Sequence, residues 1–263
     1  MARSALLNIM VQAASKAGRA LSRDFNEVEN LQVSIKGPAD FVSNADINAE
    51  KLLRKELEKA RPGYNFLMEE RGEIDRGSDH RWIIDPLDGT TNFLHSIPIF
   101  AVSVALESHG ELVAAVIYNP SSEELFTAEK GKGAYLNDRR MRVAARKDLS
   151  QSVLATGIAA LNRKEHSRAL AEQRELMSRS AGIRATGSAA LNLAWLAAGR
   201  FDGYWESGLS AWDVAAGMLL VRESGGFVSA PDPKGSIYRD GRIIAGNEFI
   251  HRQLREILHN SAS

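Results

Sequence analysis

Leu6, Leu7, Met10, Val11, Ala14, Ala17 and Leu21 recur at intervals of three and four. That spacing gathers side chains on one face of a helix, so a helix is predicted over residues 5–21. Residues 46–60, DINAEKLLRKELEKA, repeat the pattern and stop before Arg61-Pro62-Gly63, a run that ends helices. The period then shortens to two. Tyr64–Met68 and Arg81–Ile84 read as short strands that each run into acidic residues. Residues 99–118 alternate on both sides of His109-Gly110 as a β-hairpin does. Glu124–Ala128 and Arg140–Ala144 are predicted to extend the hairpin into an antiparallel meander.

Beyond about residue 150 the pattern alternates between strand and helix. Val153–Gly157, Tyr204–Trp205, Gly226–Ser229 and Arg242–Ala245 read as strands. A polar helix over 161–180, an Ala/Leu helix over 188–199, a third over 211–223 and a last one from Glu248 lie between and after them. The fold class is therefore mixed, with an α+β half over about 1–150 and an α/β half over about 151–263. No long linker separates them, so the two halves form one functional unit with its cleft between them, a preferred place for sites.

Composition narrows the classes of function. The chain has 263 residues, 33 Lys+Arg against 33 Asp+Glu, and no cysteine. A balanced charge argues against a strongly basic nucleic-acid binder. Absence of cysteine excludes disulfides, thiolate zinc sites and a cysteine nucleophile, and agrees with a reducing cytoplasm. The N-terminal segment is charged every few residues, unlike a signal peptide or membrane span.

The sharpest chemistry lies in WIIDPLDGTTNF, residues 82–93. A strand delivers Asp85 at its end, Pro86 stiffens the turn, and Asp88 returns three residues later ahead of Gly89-Thr90-Thr91. Two carboxylates this close repel unless a cation lies between them. Oxygen-only ligands suit Mg²⁺, which recruits substrate phosphate as a further ligand. The same residues would also serve as an Asx-turn pair capping a helix. Glu69-Glu70, Asp46 and Asp213 stand at other strand and helix ends, from which they can converge on this turn.

These motifs together resemble the inositol monophosphatase family. Residues 82–95, WIIDPLDGTTNFLH, match its first signature, and Trp212-Asp213-Val214-Ala215-Ala216-Gly217 matches its second. Asp40–Asp46, Glu69-Glu70, Gly187-Ser188-Ala189-Ala190 and Trp205-Glu206-Ser207-Gly208 follow the family's order and approximate spacing. The resemblance covers roughly residues 5–250. It implies a layered αβαβα sugar-phosphatase fold, with mixed sheets between helix layers.

It also implies roles. Glu69, Asp85 and the Leu87 carbonyl are expected to hold one Mg²⁺, and Asp85, Asp88 and Asp213 a second; a third, weaker ion is expected near Glu69. Thr90, oriented by Asp46, is expected to activate water beside Glu69. Gly89 and Thr90 would bind the phosphate, and Gly187, Ser188, Ala189 and Glu206 would face the substrate. Glu69, Leu87, Asp88 and Asp213 border it too, and Glu206 would accept hydrogen bonds from substrate hydroxyls. One departure is visible. Met68 stands where the family usually has glycine, and it either crowds the metal-bearing turn or packs into the core.

Weaker features remain open. Lys36 in SIKGPAD belongs to a lid near the metals or to a plain surface loop. Arg139, Arg140, Arg142, Arg146 and Lys147 form a basic cluster that reads first as a solvated face. His95 reads as a surface residue or a support for the site, and Trp195 and Trp205 as core or dimer-contact residues.

The function implied is Mg²⁺-dependent hydrolysis of a small polyol phosphate, with inositol 1-phosphate in first place, by a cytoplasmic homodimer without membrane contact. Family members that act on nucleotide 3′-phosphates, fructose 1,6-bisphosphate or histidinol phosphate define the competing substrates. Bacterial relatives that contact RNA polymerase and antitermination factors define a second role, with the basic cluster as contact surface.

Overall fold

Helix α1 (Ala5–Phe25) and helix α2 (Asn44–Ala60) lie side by side on one face of a sheet, with the hairpin β1 (Val33–Gly37) and β2 (Asp40–Ser43) between them in sequence. The computed structural model describes residues 3–28, 33–37, 40–157 and 163–260. Strands β3 (Asn65–Met68), β4 (Gly72–Ile74) and β5 (His80–Asp88) follow, then the one-turn helix α3 (Thr90–Leu94). Strands β6 (Ala101–Ser108), β7 (Glu111–Asn119), β8 (Glu124–Glu129), β9 (Gly133–Leu136) and β10 (Arg139–Arg140) complete an eight-stranded mixed sheet in the order β10-β9-β8-β7-β6-β5-β3-β4.

The remaining chain builds a second sheet. Strands β11 (Val153–Thr156), β12 (Gly182–Ala185), β13 (Gly203–Ser207), β14 (Phe227–Ser229) and β15 (Arg242–Gly246) pair in the order β12-β11-β13-β15-β14. Helices α4 (Arg163–Met177), α5 (Ala189–Ala197), α6 (Ala211–Glu223) and α7 (Ile237–Asp240) connect them, and α8 (Glu248–Asn260) follows the last strand.

Alternation along the strands explains the layering. On β5, Trp82 and Ile84 pack against α1 and α2 while Ile83 joins the opposite core; β6 and β7 divide their residues the same way. Helices α5 and α6 are apolar nearly all round, as a helix enclosed between two sheets must be. The outer face of the second sheet buries Leu154, Trp205 and Ile244 against Ile250, Leu254 and Leu258 of α8 and Leu176 of α4. The order of layers is helix, sheet, helix, sheet, helix, which is the αβαβα arrangement expected. One core, around α5 and α6, contains residues from both halves of the chain.

Most predicted elements stand where the periodicity puts them, and the differences have local causes. The hairpin turns at His109 and Gly110, both with positive φ (50° and 77°), as a tight two-residue turn requires. A strand was expected at Arg140–Ala144. The chain instead turns back at Asn137 and Asp138, again both at positive φ (46° and 63°), and only Arg139 and Arg140 pair with β9. Val143 then donates its N–H to Ser224 O (3.2 Å) rather than to a strand neighbour. Its alternation with Met141 reflects packing against the central core, not sheet pairing. Strand β12 was not foreseen, because its residues are only partly buried and lack an apolar run. Residues 161–162 of the predicted polar helix and Pro38-Ala39 of the SIKGPAD stretch lie outside the described residues.

Candidate active site

Strand β3 runs parallel to β5 with Met68 opposite Ile84, so the residues that follow, Glu69 and Asp85, emerge side by side. Met68 itself is fully buried under α1 and α2. It packs into the core and leaves the turn uncrowded. Beyond Asp85 the pairing with β6 slips: Asp85 faces Ser103, and Asp88, three residues on, faces Ala101, two residues back. This is a β-bulge, placed at Pro86, which has no N–H for the ladder. A regular strand would send residues 85 and 88 to opposite faces. The bulge turns both inward.

Asp213 arrives from the other half of the chain. Its Oδ2 accepts the Ser210 N–H (2.6 Å) in a capping box at the start of α6. One carboxylate oxygen from each of Asp85, Asp88 and Asp213 lies within 4.8 Å of the others. Asp88 is anchored by the N-terminus of α5. It accepts the Ser188 hydroxyl and the Ala190 N–H (2.9 Å), and the Ala189 and Leu191 amides also face it.

Charge at this point is confined. Burial, then the neighbouring Glu69, Asp88 and Asp213, push the Asp85 carboxyl well above the usual range, and Glu69 hydrogen-bonds to it. Burial, then Asp88, does the same to Asp213. Asp88 is pushed up to about 6 by burial, against the opposing pull of Ser188 and the α5 amides. Like charges held this close in a dry site are relieved by a cation. The donors are all hard oxygens, so the residues present fit a hard metal ion.

Thr90 opens α3 beside this cluster. Its Oγ1 lies 3.0 Å from both Asp46 Oδ1 and the Leu87 carbonyl oxygen. Asp46 is buried, and its second oxygen accepts the Ser43 N–H (2.8 Å) and hydroxyl (2.7 Å) in the capping box of α2. Burial holds the Asp46 carboxyl above its ordinary range. The Asx turn considered for Asp85 is present, since Leu87 N–H donates to its Oδ1 (3.0 Å). Asp88, however, caps α5 rather than α3. Gly89 has φ +93°, and a Cβ there would sit 2.8 Å from the Ile99 carbonyl oxygen. Only glycine fits.

Glu206 stands on β13, toward the same cluster but outside the triad. Burial pushes its carboxyl up to about 7, with Asp88 adding to the rise. Tyr204, two residues earlier and on the same face, donates its hydroxyl to Glu206 Oε2 (2.5 Å). A cavity of about 210 Å³ opens beside Glu206 between Thr156, Gly157, His166, Leu170 and Trp205. A Cβ on Gly157 would lie 1.8 Å from Glu206 Oε1, so the position of the carboxylate depends on that glycine.

The site therefore collects Asp46, Glu69, Asp85, Leu87, Asp88, Thr90 and Asp213 at one place, with Gly187, Ser188 and Ala189 around Asp88 and Glu206 to one side. The model of the inositol monophosphatase family matches residues 2–263. The chain belongs to that family. An inositol-1-monophosphatase of Mesorhizobium japonicum is 61% identical over 97% of this chain and 96% of its own. The Nus factor SuhB of Xylella fastidiosa is 46% identical over 97% of this chain and 94% of its own. The crystal structure of extragenic suppressor protein suhB from Bartonella henselae superposes with TM-score 0.94 at 58% identity, covering 97% of this chain and 98% of that one. Inositol monophosphatases are phosphatases that depend on metal, and among the described residues the acidic triad is a group that could hold one.

Some contributors escaped sequence reasoning. Asn92 donates through Nδ2 to Ile99 O and Thr186 O, both at 2.8 Å, and so ties α3 to the loop before α5. Its only signal was its place in the TTNF run. Tyr204 was detectable only as the same-face neighbour of Glu206. Of the remaining features, His95 is exposed, with Nδ1 2.8 Å from the Thr91 carbonyl oxygen. Trp205 is core, and Trp195 donates to Glu124 Oε2 (3.0 Å). In the basic cluster Arg146 pairs with the buried Asp202 (3.0 Å) and Lys147 sits over the Phe249 ring (4.8 Å). Both serve the fold, while Arg139, Arg140 and Arg142 face solvent.

Proposed function

We propose that residues 1–263 form one catalytic unit, a Mg²⁺-dependent phosphomonoesterase whose substrate is a small polyol phosphate, inositol 1-phosphate in first place. The observation that carries this reading is the convergence of Asp85, Asp88 and Asp213 within 4.8 Å, next to a hydroxyl tied to a buried carboxylate. Glu69, Asp85 and the Leu87 carbonyl would hold one Mg²⁺, Asp85, Asp88 and Asp213 would hold a second, and a third would bind more weakly near Glu69. Bound Mg²⁺ polarises the phosphoryl oxygens, acidifies the attacking water and offsets charge on the departing alkoxide.

The chain's own groups do the rest. Thr90 gives its hydroxyl proton to Asp46 and keeps its lone pairs for the attacking water, which Glu69 orients from the other side. As that water is deprotonated, its proton passes to Thr90 Oγ1 and the hydroxyl proton to Asp46, a carboxylate whose burial makes it the stronger base. Backbone groups of Gly89 and Thr90 receive the phosphate. Gly187, Ser188 and Ala189 border the substrate through their backbone, because the Ser188 side chain is spent on Asp88. Glu206 accepts from the hydroxyls of the alcohol, for which the adjoining cavity leaves room.

Phosphate release from inositol 1-phosphate, with and without Mg²⁺, beside fructose 1,6-bisphosphate, histidinol phosphate and a nucleotide 3′-phosphate, tests the reading directly. Preference for any of the last three displaces inositol 1-phosphate as substrate. Glu206→Gln sharpens the test. Replacing the charged acceptor by a neutral amide with one acceptor oxygen should cost about 1–3 kcal/mol in kcat/KM with inositol 1-phosphate and far less with phenyl phosphate, which offers no hydroxyl. Equal losses on both would show that Glu206 acts through the fold.

Metal binding should also be visible in stability. The folded-state carboxyls of Asp85, Asp88 and Asp213 sit above their unfolded range near ~4. Each therefore contributes stability that is complete below that range and is lost as pH rises through its own raised folded-state value, which for Asp88 is about 6. A bound cation removes the repulsion. At pH 8, Mg²⁺ at ten times its Kd should add about 1.4 kcal/mol, or roughly 3–6 °C in Tm for a chain of this size. At pH 5 the gain should nearly vanish. Equal gains at both pH values would contradict a carboxylate site.

The reading extends to a homodimer in the cytoplasm, which sedimentation of the purified protein and fractionation of cells test. Among the described residues no helix is long and apolar enough to cross a membrane. A second reading, contact with RNA polymerase and antitermination factors, is favoured by the SuhB relative. Its surface would be Arg139, Arg140 and Arg142. Recovery of polymerase from lysate by the Asp85→Asn protein as well as by wild type would separate it from catalysis; recovery by neither would remove it.

A further inference from the structure

Helix α2 carries two fully buried carboxylates four residues apart, Asp46 and Glu50. That interval puts them on one face, a turn apart. Asp46 serves Thr90. Glu50 reaches a different segment: its Oε2 accepts the Glu70 N–H at 2.8 Å, the Arg71 amide also faces it, and Arg71 Nε lies 3.6 Å from Oε1. A buried carboxylate is costly unless hydrogen bonds and an opposite charge compensate it, and here both come from the two residues after Glu69.

We infer that Glu50 is a positioning residue for the metal site, holding the turn through Glu70 and Arg71 so that the Glu69 carboxylate stays beside Asp85. The inference rests on the reading of Glu69 as a metal ligand. Glu69 has one ladder bond of its own, from its N–H to Ile84 O, and at 3.3 Å that bond is long. The residues on either side of it hold the turn as well. Before it, Met68 is locked in the core under α1 and α2; after it, two successive amides are gathered by Glu50. Helix α2 thus connects the water-activating Thr90 to a metal ligand through two carboxylates on one rigid face. A partner that orients a ligand without touching the metal typically changes metal affinity by about 10–100-fold when lost.

Titration calorimetry of Mg²⁺ into the metal-free full chain tests this, with Tm recorded for each variant. Glu50→Gln keeps an oxygen at the same reach and should bind Mg²⁺ close to wild type. Glu50→Asp keeps the charge but withdraws it by one methylene, and should bind about tenfold or more weakly, as should Glu50→Ala. Lowered Tm in the Asp and Ala variants with Mg²⁺ affinity within twofold of wild type would overturn the inference and leave Glu50 a purely structural residue. If Glu50→Ala fails to fold, the contrast between the Asp and Gln variants decides: Asp weak and Gln near wild type supports the positioning role, and any other order overturns it. Asp85→Asn provides the reference in the same titration. Wild type that binds no Mg²⁺ would overturn the metal site itself, whereas normal wild-type binding lost in Asp85→Asn but kept in Glu50→Asp would overturn the role of Glu50 alone.

Discussion

Asp85→Asn should fold normally and release phosphate from inositol 1-phosphate more slowly by well over the about 10–100-fold that loss of a supporting partner costs. Asp85 is the proposed ligand of both Mg²⁺ ions, so one neutral amide weakens two sites. The stability of the variant separates this role from a structural one. Burial first, and then the neighbouring Glu69, Asp88 and Asp213, raise the Asp85 carboxyl, so a neutral amide there relieves the cost of burying a charge among like charges. The metal-free variant should therefore melt at or above wild type, while the Mg²⁺-dependent rise in Tm disappears. Activity within tenfold of wild type at saturating Mg²⁺ would sink the bridging role. A large fall in Tm without metal would show instead that the Asp85 Oδ1 bond to Leu87 N–H matters chiefly to the turn.

Thr90→Ala should lower kcat by about 10²–10³-fold, the scale of a lost proton-transfer group, with KM nearly unchanged. Alanine removes the hydroxyl between Asp46 and the Leu87 carbonyl together with the γ-methyl, and the serine variant separates the two. Thr90→Ser, which keeps the hydroxyl, should recover most of the rate. A change confined to KM would make Thr90 a binding residue and would place the activation of water elsewhere.

The two variants probe different parts of one construction. Three of the carboxylates at the site also satisfy helix N-termini: Asp46 and Asp213 complete capping boxes at the starts of α2 and α6, and Asp88 accepts the Ala190 N–H at the start of α5. Each is oriented by a helix N-terminus, where partial positive charge favours the anion. These three carboxylates are thus oriented by helix ends that the fold brings together, through hydrogen bonds that need no bound ion.

Much of this was legible in the chain itself. Spacings of three and four predicted α1 and α2, and alternation predicted the β6–β7 hairpin, because those elements bury one face or both in a regular way. The candidate site was legible through motifs: Asp85-Pro86-x-Asp88 states its turn chemistry locally, and Asp46 and Asp213 stand at the starts of predicted helices. Strand β12 was not, since a short, half-exposed strand has no periodicity to read. Nor was the end of the meander at Arg140, where consecutive positive φ values at Asn137 and Asp138 outweigh the apolar alternation after them. What only the tertiary structure decided was which local devices meet. The bulge at Pro86 aims Asp85 and Asp88 inward, Asp88 reaches across to α5 rather than capping α3, and Glu50 reaches the turn after Glu69. Those pairings join residues 20 to about 100 positions apart. Only the packing of α2 and α5 against the ends of the strands brings such distant residues within hydrogen-bond reach, and no local pattern records it.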